Sequence, residues 1–544
     1  MTEENQFASD DRSVNSDMLA KAAQLLGLGF TPEECQQMLA IVQERRQHYD
    51  SLRRIKLEND VSPSFYFNPV VEQATPAADC PRQFVVRDIP NLKRPDHLED
   101  VAFYPVTHLA QLVRTRQVSS VELTALYLDR LRRYDPVLQC VVTLTEDLAL
   151  TQAKRADAEI AAGRYRGPLH GIPWGAKDLL ATRGYKTTWG AAPFRDQMID
   201  EDATVVRRLE EAGAVLVAKL TLGALAYGDV WFGGVTKNPW DISEGSSGSS
   251  AGSSAATAAG LVGFAIGTET LGSIVSPSTR CGATGLRPTF GRVSRQGAMA
   301  LSWTMDKIGP ICRTVEDCAL VLTAIYGPDG LDRTVSDAPF VWEPDQRLAD
   351  LRIGYVAEAF AEADEETNPH DGAVLDVLRG LGVELMPITL PEYDVDVLKI
   401  TLFAEAAAAF DDLTRSDQDD LLTRQDDDAW PNLFRAARLI PAVEYIQANR
   451  VRRLLMQDMA AIMKTVDVFV SPSFGGDVLA LTNLTGHPAV VVPNGFTEKG
   501  TPTSISFIGG LYKEAETLTV AKAYQDATDY HLQYPPLTIE KRSS

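Results

Sequence analysis

Apolar positions near the start of the chain recur at helical steps. Residues 14–58 read as two helices. In the second, Thr31 precedes Pro32 and Glu34 stands at the third helical position, an N-cap, proline and capping-box set that fixes the helix start. Met38, Val42, Tyr49, Leu52 and Ile55 then share one face. Two such helices can fold as a hairpin onto their own body or join two copies as a homodimer; the hairpin is the simpler reading. Residues 59–100 are rich in Pro and Asp and read as a connecting arm.

From residue 102 the pattern changes to helices alternating with short apolar strands. Ser119 and Glu122 form another capping box, opening a helix expected to end at Tyr134-Asp135-Pro136. A helix over 203–213 runs through Gly213 into the strand AVLVAKL (214–220). Later strands are expected at LRIGYV (351–356), VELMPI (383–388), DVFVSP (467–472), AVVVP (489–493) and SISFIG (504–509). Residues 403–455 read as helical, with the acidic runs Asp417 to Asp420 and Asp426 to Asp428 as a solvated face. This is the grammar of an α/β fold. It predicts an N-terminal helical extension and arm over 1–101, then one large catalytic-sized domain over 102–540.

Composition narrows the partners. The 544 residues could hold several average domains, so length alone settles nothing. Hydrophobic residues at 45% are enough for a large core. With 52 basic and 74 acidic residues the net charge is −22, which repels phosphate backbones and anionic lipid; neither nucleic acid nor membrane is expected as a direct partner. Six cysteines without a C-x-x-C pair argue against a thiolate metal site and a disulfide framework, so no metal and no cofactor is called for. The acidic, polar start is unlike a secretory signal, and no apolar run approaches membrane-spanning length, which makes the cytoplasm the expected compartment.

The unusual segment is SEGSSGSSAGSSAAT (243–257), seven serines and three glycines in fifteen residues. A flexible linker should separate domains, yet this cluster runs directly into the small-residue apolar stretch 255–273. A phosphate loop needs a following lysine, and none is present. The G-x-S-x-G match at Gly248 to Gly252 would make Ser250 the nucleophile of a strand–turn–helix elbow, but NPWDISEGS (238–246) is not the apolar strand that elbow requires. Lys177, near the end of GIPWGAKDLL (171–180), reads either as a strand-end lysine reaching water or as a desolvated amine acting as a base. His170 and His487 stand alone, without metal-ligand spacing.

Taken together, GPLHGIPWGAKDLL (167–180), the Ser/Gly cluster and GTETLGSIVSPSTRCGATGLRPTFGRVS (267–294) resemble the amidase signature family in order and spacing. The likeness continues through SWTMDKIGPICRTVEDCALVL (302–322), DVFVSPS (467–473) and NLTGHPAVVVPNGF (483–496), covering roughly residues 102–530. The resemblance implies the amidase signature fold, a central mixed β-sheet covered by helices on both faces, and a Ser-cisSer-Lys triad. Carried over by motif, Lys177 is the base, Ser249 the relaying serine after a cis bond from Gly248, and Ser273 the nucleophile. The amides of Thr270, Leu271, Gly272 and Ser273 are then candidates for an oxyanion hole. Trp174, Trp189, Tyr227, Trp231, Phe232 and Trp303 fall in or near these segments and are candidates for an aromatic substrate pocket, or for ordinary core.

The implied activity is hydrolysis of a small-molecule amide, with a carboxamide, anilide or carbamate as the substrate class. Many members carry arginine just after the nucleophile, where this chain has Val275 and Ser276; that points to a neutral substrate. The alternative within the family is the glutaminase subunit of a tRNA-dependent amidotransferase, whose loop typically reads D-T-G-G-S-[IV]-R where this chain reads ETLGSIV (269–275). A third reading is a catalytically silent scaffold acting through residues 14–58.

Overall fold

The computed structural model describes residues 14–25 and 87–537 apart from 344–345, 362–369, 427 and 438–439, together with positions 32, 36 and 39. Ser16–Leu25 is helical, as the apolar spacing predicts. The second expected N-terminal helix and most of the arm lie outside the described residues.

Thirteen strands are present among the described residues: β1 (Val141–Leu144), β2 (Pro173–Lys177), β3 (Val215–Leu220), β4 (Val230–Trp231), β5 (Gly234–Val235), β6 (Phe264–Glu269), β7 (Thr284–Arg287), β8 (Lys307–Cys312), β9 (Ile353–Val356), β10 (Leu385–Ile388), β11 (Val468–Pro472), β12 (Ala489–Phe496) and β13 (Pro502–Gly509). β4 and β5 form a small hairpin. The other eleven make one mixed sheet in the order β1-β3-β2-β6-β8-β7-β12-β13-β11-β9-β10. β3, β2 and β6 run parallel to one another, as do β11, β9 and β10, and every other pairing is antiparallel.

Side chains alternate between sheet faces, so a strand buried at every residue is covered on both. β2, β3, β8, β11 and β13 meet that test. All five later strands expected from sequence are present, β12 running three residues beyond its expected end. The capping box at Ser119 and Glu122 opens a helix as expected, but that helix continues through Pro136 to Leu138 and closes on Gln139 in the left-handed conformation. A proline in the last turn disturbs little, because the final carbonyls have no helical partners to lose. Of the acidic runs, Asp417, Asp420, Asp426 and Asp428 are exposed, but Asp419 is fully buried, contrary to the solvated-face reading.

Candidate active site

β2 and β6 are parallel neighbours in register Ala176 to Ile266, so their carboxyl ends open on the same edge of the sheet. In α/β sheets that edge is where ligands gather. Lys177 ends β2 and is fully buried. Its Nζ lies 2.8 Å from Ser249 Oγ, 3.0 Å from Ser250 Oγ and 2.8 Å from Thr268 Oγ1, with the Thr268 carbonyl at 3.4 Å. These partners are hydroxyls and a carbonyl; no carboxylate is in ion-pair reach among the described residues. Burial pushes the amine well below its ordinary range, and the more distant Asp306 and Glu269 only partly oppose this. The next buried lysine, Lys219 on β3, shows the contrast: it holds a carboxylate counter-ion, Asp178, at 2.9 Å.

The Ser/Gly cluster lies over this amine because small residues let the backbone approach. A Cβ on Gly248 would fall 1.8 Å from the Gly228 carbonyl oxygen, and one on Gly252 would fall 2.4 Å from that of Cys140. Gly248→Ala must therefore move backbone, and overpacking of this kind costs about 1–3 kcal/mol. Thermal melting together with amide turnover checks it: the variant should melt lower and lose most of its rate. The peptide bond between Gly248 and Ser249 is cis. Ser250 is held at both ends of its hydroxyl, accepting from Thr268 N at 3.1 Å and donating to Thr268 O at 3.1 Å. It opens the buried helix Ala251–Ala258 and no strand precedes it, so the elbow geometry is absent.

The loop after β6 carries Ser273, whose carbonyl accepts from Ser250 N at 3.2 Å. Gly272 takes φ +82°, a conformation that favours glycine. The amides of Thr270, Leu271, Gly272 and Ser273 donate to no acceptor among the described residues, whereas the next two, Ile274 and Val275, are taken by Glu269 Oε2 at 2.7 and 2.9 Å. A run of unclaimed donors beside a serine is what a developing oxyanion requires.

Glu269 is the anchor. Its other oxygen accepts from Arg287 at 2.9 Å and from Asn483 Nδ2 at 2.8 Å, all of it buried. Arg287 also donates to Thr482 Oγ1 and to the His487 carbonyl. Burial raises the Glu269 carboxyl, but Arg287 outweighs it and holds the group down at about 2. None of this long-range network is visible in the local pattern around ETLGS.

A cavity of about 360 Å³ opens beside Thr268 and Thr270, walled by Leu179, Met299, Leu301, Trp303 and Lys307, among others. The loop bearing Trp303 is held from beneath by Glu405, which accepts from Ser302 Oγ, Thr304 N, Thr304 Oγ1 and Tyr445 Oη at 2.7–3.0 Å. Lys307 donates to the carbonyls of Met305 and, at 3.5 Å, Thr270. Of the aromatic pocket candidates, Trp303 alone borders this cavity. Trp174 is core, stacked on Phe264 at 6.0 Å; Trp189 packs on Phe194 and Phe410, Tyr227 on Trp430, and Trp231 on Phe232. Both isolated histidines are buried: His170 Nδ1 accepts from Arg166 N, and His487 Nδ1 meets Thr485 Oγ1.

Residues 122–479 match the family model described as Amidase. The chain is 36% identical over 480 residues to the A-type subunit of the Glutamyl-tRNA(Gln) amidotransferase of Methylococcus capsulatus, covering 79% of this chain and 98% of the relative. Among solved structures, the native peptide amidase of Stenotrophomonas maltophilia superposes with a TM-score of 0.70 at 31% identity, over 79% of this chain and 97% of that one. A chain from a vestigial protein complex, described as revealing the evolutionary origins of an s-triazine catabolic enzyme, gives 0.71 at 27% identity over 78% and 98%.

Proposed function

This chain belongs to the amidase signature family and is an enzyme of amide-bond hydrolysis, and from that premise we propose that it releases ammonia from a small primary carboxamide through an acyl-enzyme on Ser273, in the manner of the glutaminase component of an amidotransferase. The observation that carries this reading is the Lys177 amine, fully buried without a carboxylate partner and 2.8 Å from Ser249 Oγ. A serine hydroxyl attacks an amide only as its proton leaves. Ser273 Oγ bonds to the carbonyl carbon while its proton passes to Ser249, whose own proton passes to the neutral Lys177 amine. The tetrahedral oxyanion is met by the unclaimed amides of Thr270 to Ser273. Collapse breaks the carbon–nitrogen bond, and the proton returns from Lys177 through Ser249 to the departing ammonia. Water then attacks the ester by the same relay.

The curated relatives favour glutamine as the carboxamide, with the ammonia handed to a partner. A stand-alone amidase on a neutral amide is the second reading, favoured by Val275 and Ser276 in place of arginine and by the similarity to the peptide amidase. Fluorophosphonate treatment followed by peptide mapping tests the chemistry: an adduct on Ser273 that disappears in Lys177→Ala is expected, and an adduct on Ser250 would overturn it. Ammonia release then separates the two readings. Preference for L-glutamine supports the first, and preference for valeramide or a peptide amide supports the second. No adduct and no turnover would leave the scaffold reading.

A further inference from the structure

The cavity beside Thr268 and Thr270 has more donors than acceptors. Its two carboxylates are already engaged. Asp306 accepts from Thr270 Oγ1 at 2.6 Å and from the amides of Leu301 and Ser302 at 2.8 and 3.0 Å. Asp332 pairs with Arg295 at 3.1 Å and accepts from Thr334. Arg295 is thereby neutralised, and its other nitrogens go to the Trp303 carbonyl and Thr334 Oγ1.

Two donors remain. Trp303 Nε1 is buried with no hydrogen-bond partner, and Arg333 lines the same cavity from the exposed loop after Asp332. Among the described residues Arg333 makes no hydrogen bond, ion pair or ring contact, although this chain carries 22 more acidic than basic side chains. A guanidinium with no counter-ion at the rim of a small, partly apolar cavity is a carboxylate receptor: it presents paired N–H donors in a plane that a carboxylate matches.

We infer that Arg333 binds a carboxylate on the far end of the substrate's acyl group, with the Trp303 indole N–H as a second donor in the cavity wall, so that the substrate is an acidic amide. This supplies from another loop the positive charge that Val275 and Ser276 do not provide after the nucleophile, and it reverses the neutral-substrate expectation drawn from those two positions. The inference rests on Ser273 chemistry at this site and names the substrate class that the site selects.

Glutaramate, the monoamide of glutaric acid, and valeramide, its neutral isostere, are the probes. Each is titrated as a protectant of Ser273 against fluorophosphonate in the full-length wild type, Arg333→Ala and Arg333→Lys, a readout that does not depend on a partner protein. Wild type should be half-protected by glutaramate at a concentration on the order of tenfold to a hundredfold below that of valeramide, the range of a hydrogen-bonded charged group. Arg333→Ala should lose that ratio with valeramide protection unchanged, and Arg333→Lys should restore part of it. Equal protection by the two amides in wild type, or a preference that survives Arg333→Ala, overturns the inference while leaving the acyl-enzyme reading intact. A wild type whose Ser273 takes no label overturns that reading, and the inference falls with it.

Discussion

Lys177→Met should lose amide hydrolysis by about three to four orders of magnitude, the span attributed to a positioned general base, while melting no lower than wild type. The two halves of this result have one cause. A fully buried amine held neutral at pH 7 is protonated in the unfolded chain, so the unfolded state binds the extra proton. Its folded pKa is depressed below the unfolded value, and for a base this opposes folding at every pH below the unfolded pKa. An apolar side chain of similar length removes the penalty together with the base. The same shift sets the pH profile of the wild type. Turnover should fall as pH drops through the lowered pKa of Lys177, with the slope of a single proton, and should level off above it. A Lys177→Met enzyme that keeps wild-type turnover would sink the relay; calorimetry beside an ammonia assay reads both halves.

The second large effect lies away from the reacting atoms. Arg287→Met leaves Glu269 as a buried carboxylate without its cation, a change that typically costs about 3–5 kcal/mol. Because the two Glu269 oxygens hold Ile274 N, Val275 N and Asn483, the nucleophile loop should loosen as well. The expected result is a lower urea midpoint and a large fall in kcat. Glu269→Gln is the informative companion, since the amide oxygen still accepts from the loop but the charge is gone. The pH sign follows from the Glu269 carboxyl standing at about 2 in the fold against an ordinary 4.5. Its folded pKa is depressed, so its contribution is fully present above the unfolded value and is lost as pH falls from about 4.5 to about 2. That contribution amounts to about 3 kcal/mol at neutral pH. A wild type and an Arg287→Met variant with identical acid-unfolding curves would remove Glu269 from this role.

Elements whose signals are local were legible in the sequence. The capping box at Ser119, the strands β3 and β9 to β13, and the motif positions Lys177, Ser249 and Ser273 all follow from residues close together in the chain. β8 was not legible, because Gly309 and Pro310 argue against a central strand. It is nonetheless central, between β6 and β7, and Gly309 is required there since a Cβ would meet the Leu286 carbonyl at 2.0 Å. The Trp174 ring sits among motif residues yet points into the core, since side chains alternate along β2 and Lys177, three residues on, takes the other face. Ser250 resembles a rival nucleophile because G-x-S-x-G carries no information about what holds its hydroxyl. Glu269, Arg287 and Asn483, and likewise Trp303 and Arg333, come together only when distant loops converge, and no period or spacing encodes that.

The strand order also carries a schedule. Lys177, Ser249 and Ser273 all belong to the half-sheet built from residues 141–312, whereas the groups that clamp the nucleophile loop, Asn483, Thr482 and the His487 carbonyl, arrive with the segment leading into β12. At about 5–20 residues per second, the roughly 200 residues between them take on the order of 10–40 s to synthesise. During that interval a nascent chain holds every reacting group but not the brace that fixes the nucleophile. The hydrolase is therefore armed by one of the last pieces of its sheet to leave the ribosome, and a prematurely terminated chain is released unarmed.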